Sequence, residues 1–318
     1  MMKLETIKAG LPRLAALVLF PVLLTRADCG AAQDRGALNP EPLPPIANPS
    51  DPGTPAKELF GRKTGPLPIE ARTIGSYSKG CLAGAQALPI NGKTWQVMRL
   101  SRNRNWGHPN LVRFLERLAS QAPKTHWRGL LVGDMSQPRG GPMRTGHASH
   151  QVGLDADIWL TPMPDRQLTR AEREEISATM VVAEDRLDVD PNVWTPAHVA
   201  VIKAAAQDPE VARIFVNPAI KKALCRDAGS DPSWLSKVRP WWGHDYHFHV
   251  RIRCPSNSPD CKPQPPVDAG DGCTGQDLDH WFSDAILHPK PSPVPPKPTP
   301  PIKMADLPAA CRQVLLAP

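Results

Sequence analysis

The sequence predicts an α+β fold: a single globular domain in which a central antiparallel sheet is flanked by helices and loops and stapled by disulfides. Three observations lead there. Strand-like and helix-like segments alternate without the regular rhythm of a doubly wound sheet. Two proline-rich stretches bracket a little over two hundred residues, enough for one domain with a real core. Six cysteines fall between Cys81 and Cys311, an even set.

The elements follow in chain order. Thr94 to Leu100 and Gly129 to Val132 have strand composition, and Asn110 to Gln121 places Leu111, Val112, Phe114, Leu115 and Leu118 at helical spacing. Leu154 to Trp159 alternates, so Asp155, Asp157 and Trp159 share one face while Leu154, Ala156 and Ile158 take the other. Thr195-Pro196 is an N-cap and first-turn pair that opens a helix through Val199, Ile202 and Ala206. Arg213 to Val216 is a short strand, and from His247 the chain alternates again. The proline clusters at 39–55 and 288–301 lack apolar periodicity and suit extended connectors. The expected organisation is an export segment over 1–31, a proline-rich linker over 32–70, the domain over 71–285 and a proline-rich tail over 286–318, tied back if Cys311 is paired.

The export segment rests on Lys3, Lys8 and Arg13 followed by the apolar run Leu14 to Leu24, which is too short to span a bilayer. Cleavage fits after Ala27, or at Ala31 or Ala32, and the later positions remove Cys29. Asp28 argues against lipid attachment at Cys29, and no later stretch is a transmembrane candidate. Six cysteines in an exported chain read as three disulfides with fifteen possible pairings, of which Cys254 to Cys261 is close enough to close a small loop. No C-x-x-C pair suggests thiolate metal binding. The formal charge is +7; removal of Lys3, Lys8, Arg13, Arg26 and Glu5 lowers it by three, to +4, with no basic run. That mild excess, with no basic run or aromatic-basic repeat to concentrate it, leaves a nucleic-acid partner resting on charge alone, so none is expected; a diffuse positive surface suits an anionic polymer outside the cytoplasmic membrane.

Of ten histidines, five lie in two short segments. In Gly146 to Leu160, His147 and His150 precede a turn at Gly153 that leads into the strand carrying Asp155 and Asp157. In Trp241 to Pro255, His247 and His249 project from one face of a strand, with Phe248, Val250 and Ile252 on the other and His244 in the loop before. A catalytic zinc site needs three nitrogen or oxygen ligands and one open position, which His150, Asp157 and His249 satisfy. As large apolar residues Trp241 and Trp242 favour the core, while their place beside His244 keeps a cleft position open.

The pattern His150, Asp157 and, far downstream, His247-x-His249 resembles the lysostaphin, D-Ala-D-Ala metallopeptidase and hedgehog group of zinc proteins. The longer wording GHASHQVGLDADIW, RIFVNPAIKKALC and VRPWWGHDYHFHVRIRCP resembles the penicillin-insensitive murein endopeptidases, from about Ile74 to Cys311. That resemblance implies a periplasmic enzyme hydrolysing the D-alanyl to meso-diaminopimelyl bond of cross-linked peptidoglycan. It implies one catalytic Zn2+ on His150, Asp157 and His249, with His247 moving the proton and His244 stabilising the oxyanion. His147 becomes a ligand or a supporting neighbour, and Asp155 a supporting carboxylate. Asp185 matches the aspartate of a second metal, but Asp188 stands where its histidine is expected. The implied disulfides are Cys81 to Cys311, Cys225 to Cys273 and Cys254 to Cys261. Rival readings are a zinc-containing module that binds peptidoglycan without cutting it, and a metallopeptidase or carboxypeptidase for another bond of the same polymer. No G-x-S-x-G or S-x-x-K motif supports a serine enzyme.

Overall fold

The computed structural model describes residues 35–290 and 299–318, so the expected export segment, Cys29 and part of the second proline cluster lie outside the described residues. From the amino-terminal side these residues form α1 (Ala56–Phe60), the hairpin β1 (Arg72–Ser76) and β2 (Lys79–Ala83), then β3 (Gln86–Ala87), β4 (Trp95–Val97) and β5 (Trp106–Gly107). Next come α2 (Pro109–Gln121), β6 (Leu130–Val132), β7 (Asp155–Trp159), α3 (Arg170–Glu175), α4 (Pro196–Gln207) and β8 (Val211–Val216). The chain closes with α5 (Pro218–Asp227), β9 (Val238–Pro240), β10 (His247–Ile252), α6 (Asp284–Leu287) and α7 (Ala310–Leu316).

A six-stranded sheet of order β4-β6-β7-β10-β8-β9 is the scaffold. Its centre is antiparallel, β7 to β10 to β8, as expected. The outermost pairs, β4 with β6 and β8 with β9, are parallel, because α2 and α5 carry the chain back across the sheet before each second strand. Every residue of β7 and β10 is buried, which fits strands with neighbours on both edges and packed layers on both faces.

Local chemistry explains the helices. His108 Nδ1 accepts the N–H of Asn110, Pro109 opens the first turn of α2, and Leu111, Val112, Phe114, Leu115 and Leu118 pack into the main core. In α4 the expected cap at Thr195 is present as a reciprocal pair, with His198 Nδ1 accepting the Thr195 N–H.

The two flanking segments contain more structure than proline content suggests. Within 32–70, Ala56–Phe60 is a helix whose Ala56 and Phe60 are buried in a second cluster with Ile74, Cys81, Leu307, Cys311, Val314 and Leu315. The tail ends in α7, and Arg139, itself buried, donates to the carbonyls of Val314 (2.9 Å) and Ala317 (2.6 Å), satisfying acceptors that a helix end leaves open. Three disulfides join Cys81 to Cys311, Cys225 to Cys273 and Cys254 to Cys261, the pairing that the resemblance implies. The first bridges 230 positions of sequence and fixes the tail to β2. Replacing both Cys81 and Cys311 by serine is expected to lower unfolding free energy by about 2–5 kcal/mol. Urea denaturation followed by tryptophan fluorescence measures it, and an unchanged midpoint would show that the tail is held by packing alone.

Candidate metal centre

Register does most of the positioning. In the β7–β10 pairing His249 lies opposite Asp157, Arg251 opposite Asp155 and His247 opposite Trp159. Side chains of alternate residues share a face, so two carboxylates and two imidazoles point to one side of the sheet while Ala156, Ile158, Phe248 and Val250 enter the core on the other. His147 and His150 arrive from the loop before β7. His150 has φ 65°, in the left-handed region, and the turn closes at Gly153 with φ 70°. A Cβ at Gly153 would sit 2.4 Å from Leu82 Cδ2, so only glycine fits.

His150, Asp157 and His249 converge on one point. His150 Nε2 is 3.2 Å from His249 Nδ1 and 3.4 Å from Asp157 Oδ1, and His249 Nδ1 is 3.1 Å from that same oxygen. Tetrahedral coordination with nitrogen and oxygen ligands at roughly 2.0–2.1 Å has edges of about 3.3 Å. His147 Nδ1 faces the other oxygen, Oδ2, at 3.4 Å, and His147, His150 and Asp157 offer ligand atoms within 4.8 Å of one another. The cluster could therefore hold a metal ion.

The far side of each ring is fixed by a partner that leaves the inward nitrogen with a lone pair. His150 Nδ1 donates to the Met135 carbonyl at 2.6 Å, His147 Nε2 pairs with Asp134 Oδ2 at 2.9 Å, and His249 Nε2 faces Asp155 Oδ1 at 3.1 Å. Such partners set tautomer and orientation in metal sites. Asp134 and Asp155 are in turn held by arginines: Arg104 and Arg102 reach Asp134 Oδ2 at 2.8 and 3.0 Å, and Arg251 Nε reaches Asp155 Oδ1 at 2.7 Å.

Asp157 differs. It is 4% exposed, its Oδ1 has no hydrogen-bond partner, and among the described residues its ion-pair neighbours are the rings of His147, His150, His247 and His249, with no arginine or lysine. Burial pushes its pKa up, but His247, His150 and His147 more than offset this and hold it well below 3.8. A buried anion with so little permanent positive charge around it is what a bound cation completes.

His247 and His244 sit beside the three donors. His247 Nε2 is 3.7 Å from Asp157 Oδ2, its Nδ1 is buried without a partner, and burial pushes its pKa down to about 4. The His244 ring lies 4.9 Å from that of His247, and its Nδ1 donates to the Trp242 carbonyl at 2.9 Å. Burial and the neighbouring histidines lower its pKa to about 3. His244 has φ 56°, and its loop is pinned by Asn217, which donates Nδ2–H to the Gly243 carbonyl and N–H to the His244 carbonyl. Asp185 stands apart from this cluster: it is exposed, its Oδ1 accepts the Leu187 N–H, and the nearby Asp188 pairs with Arg226 at 2.9 Å. Trp241 and Trp242 are 57% and 38% exposed, so neither belongs to the core.

Asp134, Arg102 and Arg104 were not legible as site residues, since nothing in their local sequence marks them. Arg251 was legible in principle, because it continues the alternation of His247 and His249.

The arrangement is a histidine and carboxylate cluster that could hold a metal ion, carried on an α+β scaffold. The profile of the penicillin-insensitive murein endopeptidase family matches residues 73–316, and the chain belongs to that family. A relative of that name from Haemophilus influenzae is 49% identical over 258 residues, covering 80% of this chain and 86% of its own. Others from Klebsiella pneumoniae (46% over 264 residues, 83% and 93%) and Escherichia coli (47% over 253 residues, 79% and 89%) carry the same name.

Metal affinity should depend on pH with a definite sign. His249 has a pKa raised above 6.5, since Asp155 and Asp157 outweigh the effect of burial, and a metal must displace that proton. Affinity for Zn2+, followed by competition with a chromophoric chelator, should therefore start to fall above the ordinary histidine range as pH is lowered. Asp134→Asn should weaken it by about 10–100-fold at pH 7. A pH-independent affinity would contradict histidine ligation.

Proposed function

We propose that the protein is a zinc-dependent murein endopeptidase that hydrolyses the D-alanyl to meso-diaminopimelyl cross-link of peptidoglycan in the periplasm. The observation that carries this reading is the buried Asp157, ringed by imidazoles and lacking an arginine or lysine, in a chain of this family. Two imidazole nitrogens and one carboxylate oxygen at tetrahedral spacing favour zinc over magnesium or calcium, which take shells of oxygen. His150 would hold the ion through Nε2, His249 through Nδ1 and Asp157 through a carboxylate oxygen. His147, braced by Asp134, stands at the edge of this set as its support, because catalysis needs one position left open. One ion is assigned; Asp185 lies in an exposed turn and, among the described residues, belongs to no group of three or more ligand-type side chains.

When bound, zinc supplies Lewis acidity that polarises a peptide carbonyl and lowers the pKa of water toward about 7. The chain's own residues then handle the protons. His247 is uncharged at neutral pH, so it can accept a proton from the attacking water and return it to the leaving amine. His244 is also uncharged, and with Nδ1–H committed to the Trp242 carbonyl its free Nε2 is an acceptor. It can stabilise an oxyanion only after taking up a proton, which couples its role to that of His247. A module that merely bound peptidoglycan would need neither ring, which favours catalysis.

Three disulfides support an oxidising compartment, and we assign the basic-then-apolar start of the chain to export. Among the described residues no helix is long and apolar enough to cross a membrane.

Purified cross-linked muropeptide dimers incubated with the zinc-loaded protein should convert to monomers, read by mass spectrometry. His247→Ala should lower turnover by about 10²–10⁴-fold with metal content intact. Intact dimers from folded, zinc-loaded protein would favour the binding module, and products of another mass would move the cut to a different bond.

A further inference from the structure

We propose that Trp241 is a substrate-positioning residue that stacks on an amino-sugar ring of the glycan strand bearing the peptide under attack; this rests on the peptidoglycan reading above. Trp241 is 57% exposed, the most exposed of the large aromatic side chains among the described residues, although leaving an indole in water forgoes a large apolar burial. Its neighbour Trp242 is engaged within the protein: it meets Trp281 edge to face at 5.4 Å, and Arg186 lies over it at 5.8 Å. Among the described residues the aromatic ring that meets Trp241 is Phe215, edge on at 6.2 Å, and more than half of the Trp241 surface is left exposed.

The backbone that carries this indole is nevertheless held in place. The Trp241 N–H donates to the Val216 carbonyl at 2.8 Å, extending the β8–β9 pairing by one residue. Phe215 links it to the metal centre, since its ring meets that of His249 at 5.4 Å. Trp241 thus stands two ring-to-ring steps from a donor of the candidate metal site, directly after the sheet strand β9 and tied by its backbone to β8.

The chemistry of the polymer selects the occupant. Near the scissile bond the peptide stem offers methyl groups, amides and carboxylates, none of which presents a wide flat apolar face. The C–H faces of the amino sugars do. A stem of four residues, fully extended, spans at most about 13–14 Å, so the sugar lies within reach of a platform at this remove from the metal.

Cross-linked dimers with and without their disaccharides, the latter prepared by cleaving the lactyl amide, test the proposal. Trp241→Ala should raise KM by about tenfold on the disaccharide-bearing dimer, leave its kcat near the unsubstituted value, and change neither constant on the sugar-free dimer. Trp241→Phe should recover part of the loss. An equal rise on both substrates would place the indole on peptide and overturn the proposal, as would no rise on either. A binding measurement keeps the test independent of turnover: the Trp241 indole N–H resonance, assigned by its loss in W241A, should shift on titration with peptide-free glycan strands, and a resonance that stays put overturns the proposal. Failure to cut either dimer together with such a shift would count against the endopeptidase reading alone and leave the sugar contact standing.

Discussion

Three buried carboxylates, joined through the rings of His147 and His249, are the constraint on which the rest of this structure depends. An isolated ionised carboxylate in a protein interior is costly unless matched by charge and hydrogen bonds. Asp134 is matched by Arg102 and Arg104, and Asp155 by Arg251. Asp157 is left to histidine rings, with no arginine or lysine among its ion-pair neighbours in the described residues. The oxygens that the arginines hold, Asp134 Oδ2 and Asp155 Oδ1, also face His147 Nε2 and His249 Nε2, which turns the far nitrogens of those rings toward Asp157. Each ion pair therefore serves orientation, and the deficit at Asp157 is concentrated where a cation is needed.

The sheet makes this arrangement rigid. With β10 paired on both edges, His249 cannot slip by one residue without moving His247 and Arg251 with it to the core face and turning Phe248, Val250 and Ile252 out of the core. The less regular parts lie in the loops, where His150 and His244 adopt left-handed backbone angles costing on the order of 1–3 kcal/mol each. Both are over-determined by their surroundings: His150 by Met135 and Asp155, His244 by Asn217 and Trp242. Strain of this kind is tolerated where a side chain must be aimed.

Much of the centre was legible because its strands follow a period of two. Asp155, Asp157, His247 and His249 sit on the faces that alternation assigns them, and the spacing of α2 and the Thr195 cap behave likewise. Other features had no local signature. Asp134 follows β6 in a stretch whose sequence does not distinguish a site carboxylate from a turn, and its role comes only from contacts with Arg102 and Arg104, some thirty residues away. Phe60 lies in proline-rich surroundings that mask a helix stabilised by the tail it packs against. The parallel pairing at the sheet's edges depends on how α2 and α5 return the chain, which no strand's own sequence records.

Zinc K-edge X-ray absorption on the zinc-loaded protein tests the central claim most directly, that Asp157 and two imidazoles form an open metal site. The account predicts a shell of four nitrogen and oxygen scatterers near about 2.0–2.1 Å with the multiple-scattering signature of two or three histidines, reduced by one scatterer or rebuilt in Asp157→Ala. Sulfur in the first shell, or a six-oxygen shell without imidazole scattering, would contradict it.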